Sequence, residues 1–169
     1  MNIIILKNSQ KYYDYAIPYL YKNIYTKFGF NSLQDVIKLY NKLKINTFIC
    51  LNKNTQEYIG SYLLHENNNM IILCDLFIVP KYRKQGIGSR LIEDAKNRSA
   101  KLFKYFKLYL YSYKKNINFY KKNGFKIESY NKQNLIYLLS CDLYKINSNI
   151  IIIIYVIIIV LIILYFLFR

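Results

Sequence analysis

Residues 150–168 place the tightest limit on this chain: 19 consecutive residues without a charge, ten of them isoleucine, followed by Arg169. Wound as an α-helix at about 1.5 Å per residue, the segment would extend ~28 Å, close to the hydrocarbon thickness of a bilayer. Isoleucine favours strands in water, but a lone segment in lipid must satisfy every backbone group internally, and that leaves only the helix. A strand of this length would far exceed those of globular proteins. A helix apolar on every face would need more protein around it than this chain offers. Tyr165, near the end of the run, suits a membrane interface. The amino-terminal apolar run, 3–6, is too short for the core of a signal peptide. The sequence therefore predicts a single-pass membrane protein anchored at its C-terminus. Its body, 1–144, would face the cytosol, 145–149 would be a tether and 150–168 the transmembrane helix.

The body is long enough for one domain with a sizeable core. With 54% hydrophobic residues, wholesale disorder is excluded. The net charge is +16, from 25 Lys and Arg against 9 Asp and Glu. Such an excess suits an acidic partner: a phosphorylated ligand, an anionic membrane or nucleic acid. Isoleucine, lysine, asparagine and tyrosine, all with A/T-rich codons, make up more than half of the chain. Genome composition thus accounts for part of the charge and of the aromatic content. No nucleic-acid-binding motif accompanies the charge, so nucleic acid is not an expected partner. Cys50, Cys74 and Cys141 lie far apart, each in an apolar run, and read as reduced, buried thiols. With no CxxC pair and His65 as the sole histidine, no metal site is expected.

Strand and helix patterns alternate along the body. A short strand is predicted at 3–6 and a helix over about 10–27, which Pro18 must start, kink or split. Ser32 and Asp35 have the spacing of a capping box, and Leu33, Val36, Ile37, Tyr40 and Leu43 form an apolar stripe behind them. Three antiparallel strands are expected at 45–51, 58–64 and 70–79, with His65 at a solvated turn beside Glu66. A helix over 87–103, a strand at 106–111, a short helix over 116–123 and strands at 125–130 and 134–143 complete the pattern.

The chemistry concentrates after the third of those antiparallel strands, in Val79-Pro80-Lys81-Tyr82-Arg83-Lys84-Gln85-Gly86-Ile87-Gly88-Ser89-Arg90-Leu91. A strand ends at proline, a basic loop with two glycines follows, and a helix begins. Glycines allow backbone N–H groups close to a phosphate, and a helix start adds donors and partial positive charge. Arg83, Lys84 and Arg90 add full charges. The segment suits a diphosphate.

R-x-x-G-x-G at Arg83 to Gly88 resembles the acetyl-CoA signature of the GNAT N-acetyltransferases. The approach Leu76-Phe77-Ile78-Val79-Pro80 fits that family as well. About thirty residues on, Phe119-Tyr120-Lys121-Lys122-Asn123-Gly124-Phe125 resembles its second motif, FY-x-x-x-GF. The resemblance implies an α/β (α+β) fold of GNAT type: a mixed, mostly antiparallel central sheet flanked by helices, here followed by the transmembrane helix. It also implies acetyl-CoA as co-substrate, no metal, and acetyl transfer to a primary amine of a small molecule or protein by direct attack. The backbone at Phe77 and Ile78 would pair with the pantetheine arm, and the N–H groups of Lys84, Gln85, Gly86, Ile87, Gly88 and Ser89 would hold the pyrophosphate, with the Arg83 charge nearby.

Tyr120 aligns with the family's general acid, which protonates the departing thiolate. The base is sought at Asp75, the single acid in the strand that leads to the loop. Its competing role is a structural hydrogen bond, because an acid in an apolar strand must be paired or used. Among family branches, the glucosamine-phosphate N-acetyltransferases have an acid before the cofactor strand like Asp75 and a run like Lys115 to Phe125. Their later acidic positions fall here at Tyr111 and Tyr113. Tyr113 also occupies the place of an asparagine found in many members, which leaves Asn116 to serve instead. The expected partners are acetyl-CoA, the amine acceptor and, through 150–168, the lipid bilayer; a homodimer is compatible with this reading. The alternative function is a membrane-bound acyl-CoA-binding or interaction module with weak or absent catalysis, distinguished by its lack of turnover.

Overall fold

In the computed structural model of the protein, described for residues 2–7, 9–23, 25–42, 45–68, 70–101 and 106–143, alternating apolar residues build a seven-stranded sheet. The strands are β1 (Ile3–Lys7), β2 (Ile45–Asn52), β3 (Tyr58–Asn67), β4 (Met70–Ile78), β5 (Lys107–Tyr113), β6 (Lys126–Asn131) and β7 (Ile136–Asp142). Their order is β1-β2-β3-β4-β5-β7-β6, antiparallel throughout except for β4 beside β5. This is the mixed, mostly antiparallel sheet the sequence predicts.

Two features of β4 prepare the site. Its register with β3 passes from Ser61↔Phe77 to Leu63↔Cys74, so Tyr62 faces two residues, Asp75 and Leu76. Asp75 takes up this bulge with φ +48°, and a bulge re-aims side chains. On its other side β4 pairs with β5 only at Ile71↔Leu108 and Ile72↔Tyr109. Beyond Ile72 the two strands part, and the second half of β4 presents a free edge to the gap.

Each face of the sheet carries a helical layer. α1 (Ser9–Lys11), a π-helical turn (Tyr12–Ala16) and α2 (Ile17–Asn23) follow one another directly. The wide turn closes where the Ile17 N–H donates to the Tyr12 carbonyl five residues back, just before Pro18, which has no N–H to offer. Pro18 thus marks a handover within the predicted helix. A 3-10 turn at Tyr25–Phe28 leads to α3 (Leu33–Lys42). At its start the Asp35 N–H donates to Ser32 Oγ at 3.2 Å, while the Ser32 hydroxyl donates to the Asp35 carboxylate at 2.7 Å. The cap is the expected one. Tyr12, Ala16, Ile17, Leu20, Val36 and Tyr40 pack from this layer on Leu63, Phe77 and Val79.

The opposite layer holds α4 (Ile87–Lys101) and α5 (Ile117–Lys122). Ile87, Leu91, Ile92 and Ala95 of α4 bury one helical stripe against Tyr62, Leu64, Ile71 and Leu73. Neighbouring β3 residues, Tyr62 and Leu63, thus serve opposite cores, as strand alternation requires.

The sequence expectations change at two points. β3 continues through His65, which pairs with Ile45 and Ile72, so this histidine lies within the sheet and not at a turn. Cys50 and Cys141 are buried thiols, but Cys74 is only half-buried. Leu43, the predicted tether 145–149 and the predicted span 150–168 lie outside the described residues. Among the described residues no helix is long and apolar enough to cross a membrane.

Candidate active site

The gap between β4 and β5 widens into a cleft of about 900 Å³. Its floor is Leu76, Phe77 and Ile78, its far wall is Tyr82, Arg83, Lys84 and Gly86 to Ser89, and its near wall is Lys115, Asn116, Phe119 and Tyr120. Each wall follows from local backbone chemistry.

The Val79 N–H donates to the Ile59 carbonyl at 2.9 Å. Because backbone groups alternate along a strand, those of Ile78 then point away from β3 into the gap, and those of Phe77 point back to β3. Of the two residues expected to pair with a pantetheine arm, Ile78 thus turns its backbone groups to the gap and Phe77 turns its own to β3. Phe77 contributes its ring, with the Arg83 guanidinium 5.5 Å from its centroid. Arg83 Nε also donates to the Ile78 carbonyl at 2.9 Å, so this cation lies along the strand edge.

A 3-10 turn at Pro80–Tyr82 ends β4. Lys84 at φ +62° and Gly86 at φ +75° then reverse the chain into α4. The first helical bond runs from the Arg90 N–H to the Gly86 carbonyl. Gly86 is thus the cap residue and has no side chain to satisfy the N–H groups of Ile87, Gly88 and Ser89. Those donors, the helix start and the Arg83, Lys84 and Lys115 cations fit a pyrophosphate. A Cβ on Gly86 would meet nothing of the protein within 4 Å, so it would project into free space. A Cβ on Gly88 would come within 3.0 Å of Phe119 Cζ. Glycine there lets the α5 ring close over the first turn of α4. The Gln85 side chain folds back, its Nε2 donating to the Lys81 carbonyl at 3.2 Å, and does not line the cleft.

The spacing FY-x-x-x-GF is a helix stop. The Phe125 N–H bonds the Tyr120 carbonyl at 3.1 Å, and the Gly124 N–H bonds the Lys121 carbonyl at 3.0 Å, with Gly124 at φ +84°. This is a Schellman cap, which brings the residue after the glycine onto the third residue from the helix end. The Tyr120 and Phe125 rings meet accordingly, 5.9 Å apart and nearly edge to face. Lys96 of α4 closes the end, its Nζ donating to the Asn123 carbonyl at 2.6 Å. Tyr120 is thereby held on the cleft wall, and burial, with the Cys74 sulfur adding to it, pushes its phenol up to about 12.

Asp75 does not line the cleft. Its Oδ2 accepts hydrogen bonds from the Tyr25 hydroxyl and from the Tyr40 hydroxyl, both on the α1–α3 side. Burial raises its carboxyl to about 6, and the Tyr25 hydrogen bond acts in the opposite direction. Leu76, Tyr82, Lys115, Phe119 and Asn23 line the cleft without having been predicted. Leu76 and Phe119 flank predicted residues, whereas no sequence signal marks Asn23. Among the described residues no three His, Cys, Asp or Glu side chains gather as a metal site.

Residues 44–127 match the family described as the acetyltransferase (GNAT) domain. The chain carries a GNAT acetyltransferase domain. The match includes β4, the basic loop, α4 and α5, hence all of the cleft lining except Asn23. No curated protein matches the chain. Among solved structures, a spermidine N-acetyltransferase from Vibrio cholerae in complex with CoA and spermine is 17% identical over 83% of this chain and 95% of its own, with a TM-score of 0.69. The PaiA N-acetyltransferase from Thermoplasma acidophilum in complex with coenzyme A is 23% identical over 84% and 99%, with a TM-score of 0.63. A GNAT-family acetyltransferase from Staphylococcus aureus is 22% identical over 84% and 99%, with a TM-score of 0.61. These likenesses establish the GNAT fold over the body. The domain is an N-acetyltransferase domain, and the co-substrate of GNAT enzymes is acetyl-CoA.

Proposed function

We propose that the GNAT domain moves the acetyl group of acetyl-CoA to a primary amine by direct attack, and that 150–168 holds it on a membrane. One observation carries the catalytic reading: the free edge of β4, the bare start of α4 and the Tyr120 phenol all open into the same cleft. Acetyl-CoA supplies the activated acetyl thioester. The Ile78 and Leu76 backbone groups support its arm, and the N–H groups of Gly86 to Ser89 support its pyrophosphate, with Arg83 and Lys84 beside them and Asn116 across the cleft.

Tyr120 stays protonated at neutral pH, since its phenol titrates near 12. Complete transfer of that proton to a thiolate, whose ordinary pKa is about 8.5, is uphill. Tyr120 therefore acts mainly as a hydrogen-bond donor to charge growing on the leaving sulfur. Asp75 takes the proton of the amine through water, because it lies outside the cleft wall. For the acceptor, the +16 net charge favours an anionic amine such as an amino-sugar phosphate over a polycation. CoA release by the full chain, measured across amino-sugar phosphates and polyamines, tests this. No turnover with any amine, despite acetyl-CoA binding, would leave the reading as a binding module.

The loop assignment has its own test. Gly86→Val adds a branched side chain in the free space before α4 and strains a positive-φ position. Acetyl-CoA affinity is expected to fall at least about tenfold, roughly 1.4 kcal/mol. Unchanged affinity by calorimetry would remove the pyrophosphate from this loop.

For the membrane reading, Ile159→Lys places a charge at the centre of the span, at a cost of roughly 2.5–3.5 kcal/mol. Part of the protein should then move to the soluble fraction, and deletion of 150–169 should move all of it. A deletion variant that still sediments with membranes, or that no longer folds, would refute the anchor.

A further inference from the structure

We propose that Tyr25 and Tyr40 are positioning residues that fix the Asp75 carboxylate and set the pH at which it can take a proton from the acceptor amine; this rests on the reading of Asp75 as the base. Tyr25 comes from the 3-10 turn and Tyr40 from α3, while Asp75 sits in the β4 bulge. Three oxygens meet there. The two phenols both donate to Asp75 Oδ2, and they also lie 2.8 Å from each other.

Counting protons shows what such a ring does. Three mutual contacts need three hydrogens if each is to be a hydrogen bond, and two phenols supply two. When Asp75 is ionised, both phenolic protons point at the carboxylate, and the Tyr25–Tyr40 contact has none. When Asp75 carries a proton, each oxygen donates once and accepts once, and the ring closes. The site therefore holds the carboxylate with two charge-assisted bonds and also accommodates the proton once it arrives. In the step itself the acceptor's ammonium gives one proton to Asp75. The ammonium becomes a neutral amine, the carboxylate a carboxylic acid, and no electrons or further reactants are involved.

The other groups facing this ring are Tyr12, from the π-helical turn, and the Cys74 thiol, on β4 itself. Tyr12 lies close enough for the charges of Asp75 and Tyr25 to act on it, and Cys74 acts on Tyr25. The bulge is what brings Asp75 to the phenols. In regular alternation a residue next to Cys74 would face the α4 side, whereas the extra β4 residue lets Asp75 share the helical face of Cys74 and Phe77.

Carbon-13 NMR of aspartate carboxyls in the full chain tests the proposal, with the Asp75 signal assigned by its loss in Asp75→Asn. Tyr25→Phe and Tyr40→Phe each keep the ring and remove one donor to the ionised form. Each should raise the Asp75 midpoint by about one pH unit, because hydrogen bonds to the charged form favour it. The acid limb of kcat/KM should move by the same amount, with acetyl-CoA affinity unchanged. A midpoint that stays put, or falls, in folded variants overturns the proposal. If the midpoint rises while the acid limb stays in place, the phenols do hold Asp75, and it is the base assignment that fails.

Discussion

Tyr120→Phe is expected to lower kcat about a hundredfold, the scale of removing one hydrogen-bond donor to charge that develops in the transition state, with little change in acetyl-CoA affinity. Phenylalanine keeps the ring, so the edge-to-face contacts with Phe119 and Phe125 persist. The Schellman cap of α5 is built from backbone groups and Gly124 and is not touched. What disappears is one hydroxyl on the cleft wall. The loss should therefore fall on turnover and not on folding or binding, and steady-state kinetics beside calorimetry separate the two. Turnover within about twofold of the parent would make the phenol a packing group and send the search for the group that stabilises the leaving sulfur elsewhere.

Asp75→Asn is expected to cost a further order of effect, about 10²- to 10⁴-fold in kcat/KM at neutral pH, because a base is lost. In the parent, a carboxyl titrating near 6 makes kcat/KM rise with pH through that value and level off above it. The rise should vanish in the variant. Stability should move the other way. The carboxyl sits near 6 in the folded protein against an ordinary value of 3.8, so between these the native state binds the proton more tightly than the unfolded chain. The stability it contributes is thus lost as pH rises through this window, with a full cost on the order of 2–3 kcal/mol above it. Asparagine carries no charge to bury. Relative to the parent, Asp75→Asn should gain stability on going from pH 4 to pH 7, as read by denaturant unfolding. A pH-independent difference between the two proteins would show that Asp75 titrates normally.

The elements of the body and both motifs are legible in the sequence because they depend on short-range backbone chemistry. Gly86 marks the capped turn into α4, and Gly124 marks the left-handed residue of a helix stop. Their spacing to Arg83 and Tyr120 is set by covalent geometry, so a linear reading finds them. The positions that changed depend on strand register. Phe77 lies inside the predicted segment, yet its backbone is spent on β3. His65 lies inside the sheet because β3 extends past the predicted turn.

Asp75 shows the division most clearly. The sequence alone determines that an acid stands in an apolar strand just before the cofactor loop, and that burying it must be compensated. Which groups compensate it is decided by tertiary structure. Tyr25 and Tyr40 lie 50 and 35 residues away along the chain, in a layer that packs on the far face of the sheet. They meet the carboxylate only because one extra residue opposite Tyr62 changes the direction of its side chain. A bulge is a mismatch between two strands, so it belongs to the pair and to neither sequence segment alone. The parting of β4 from β5, which opens the cleft, is likewise a property of two strands separated by a helix.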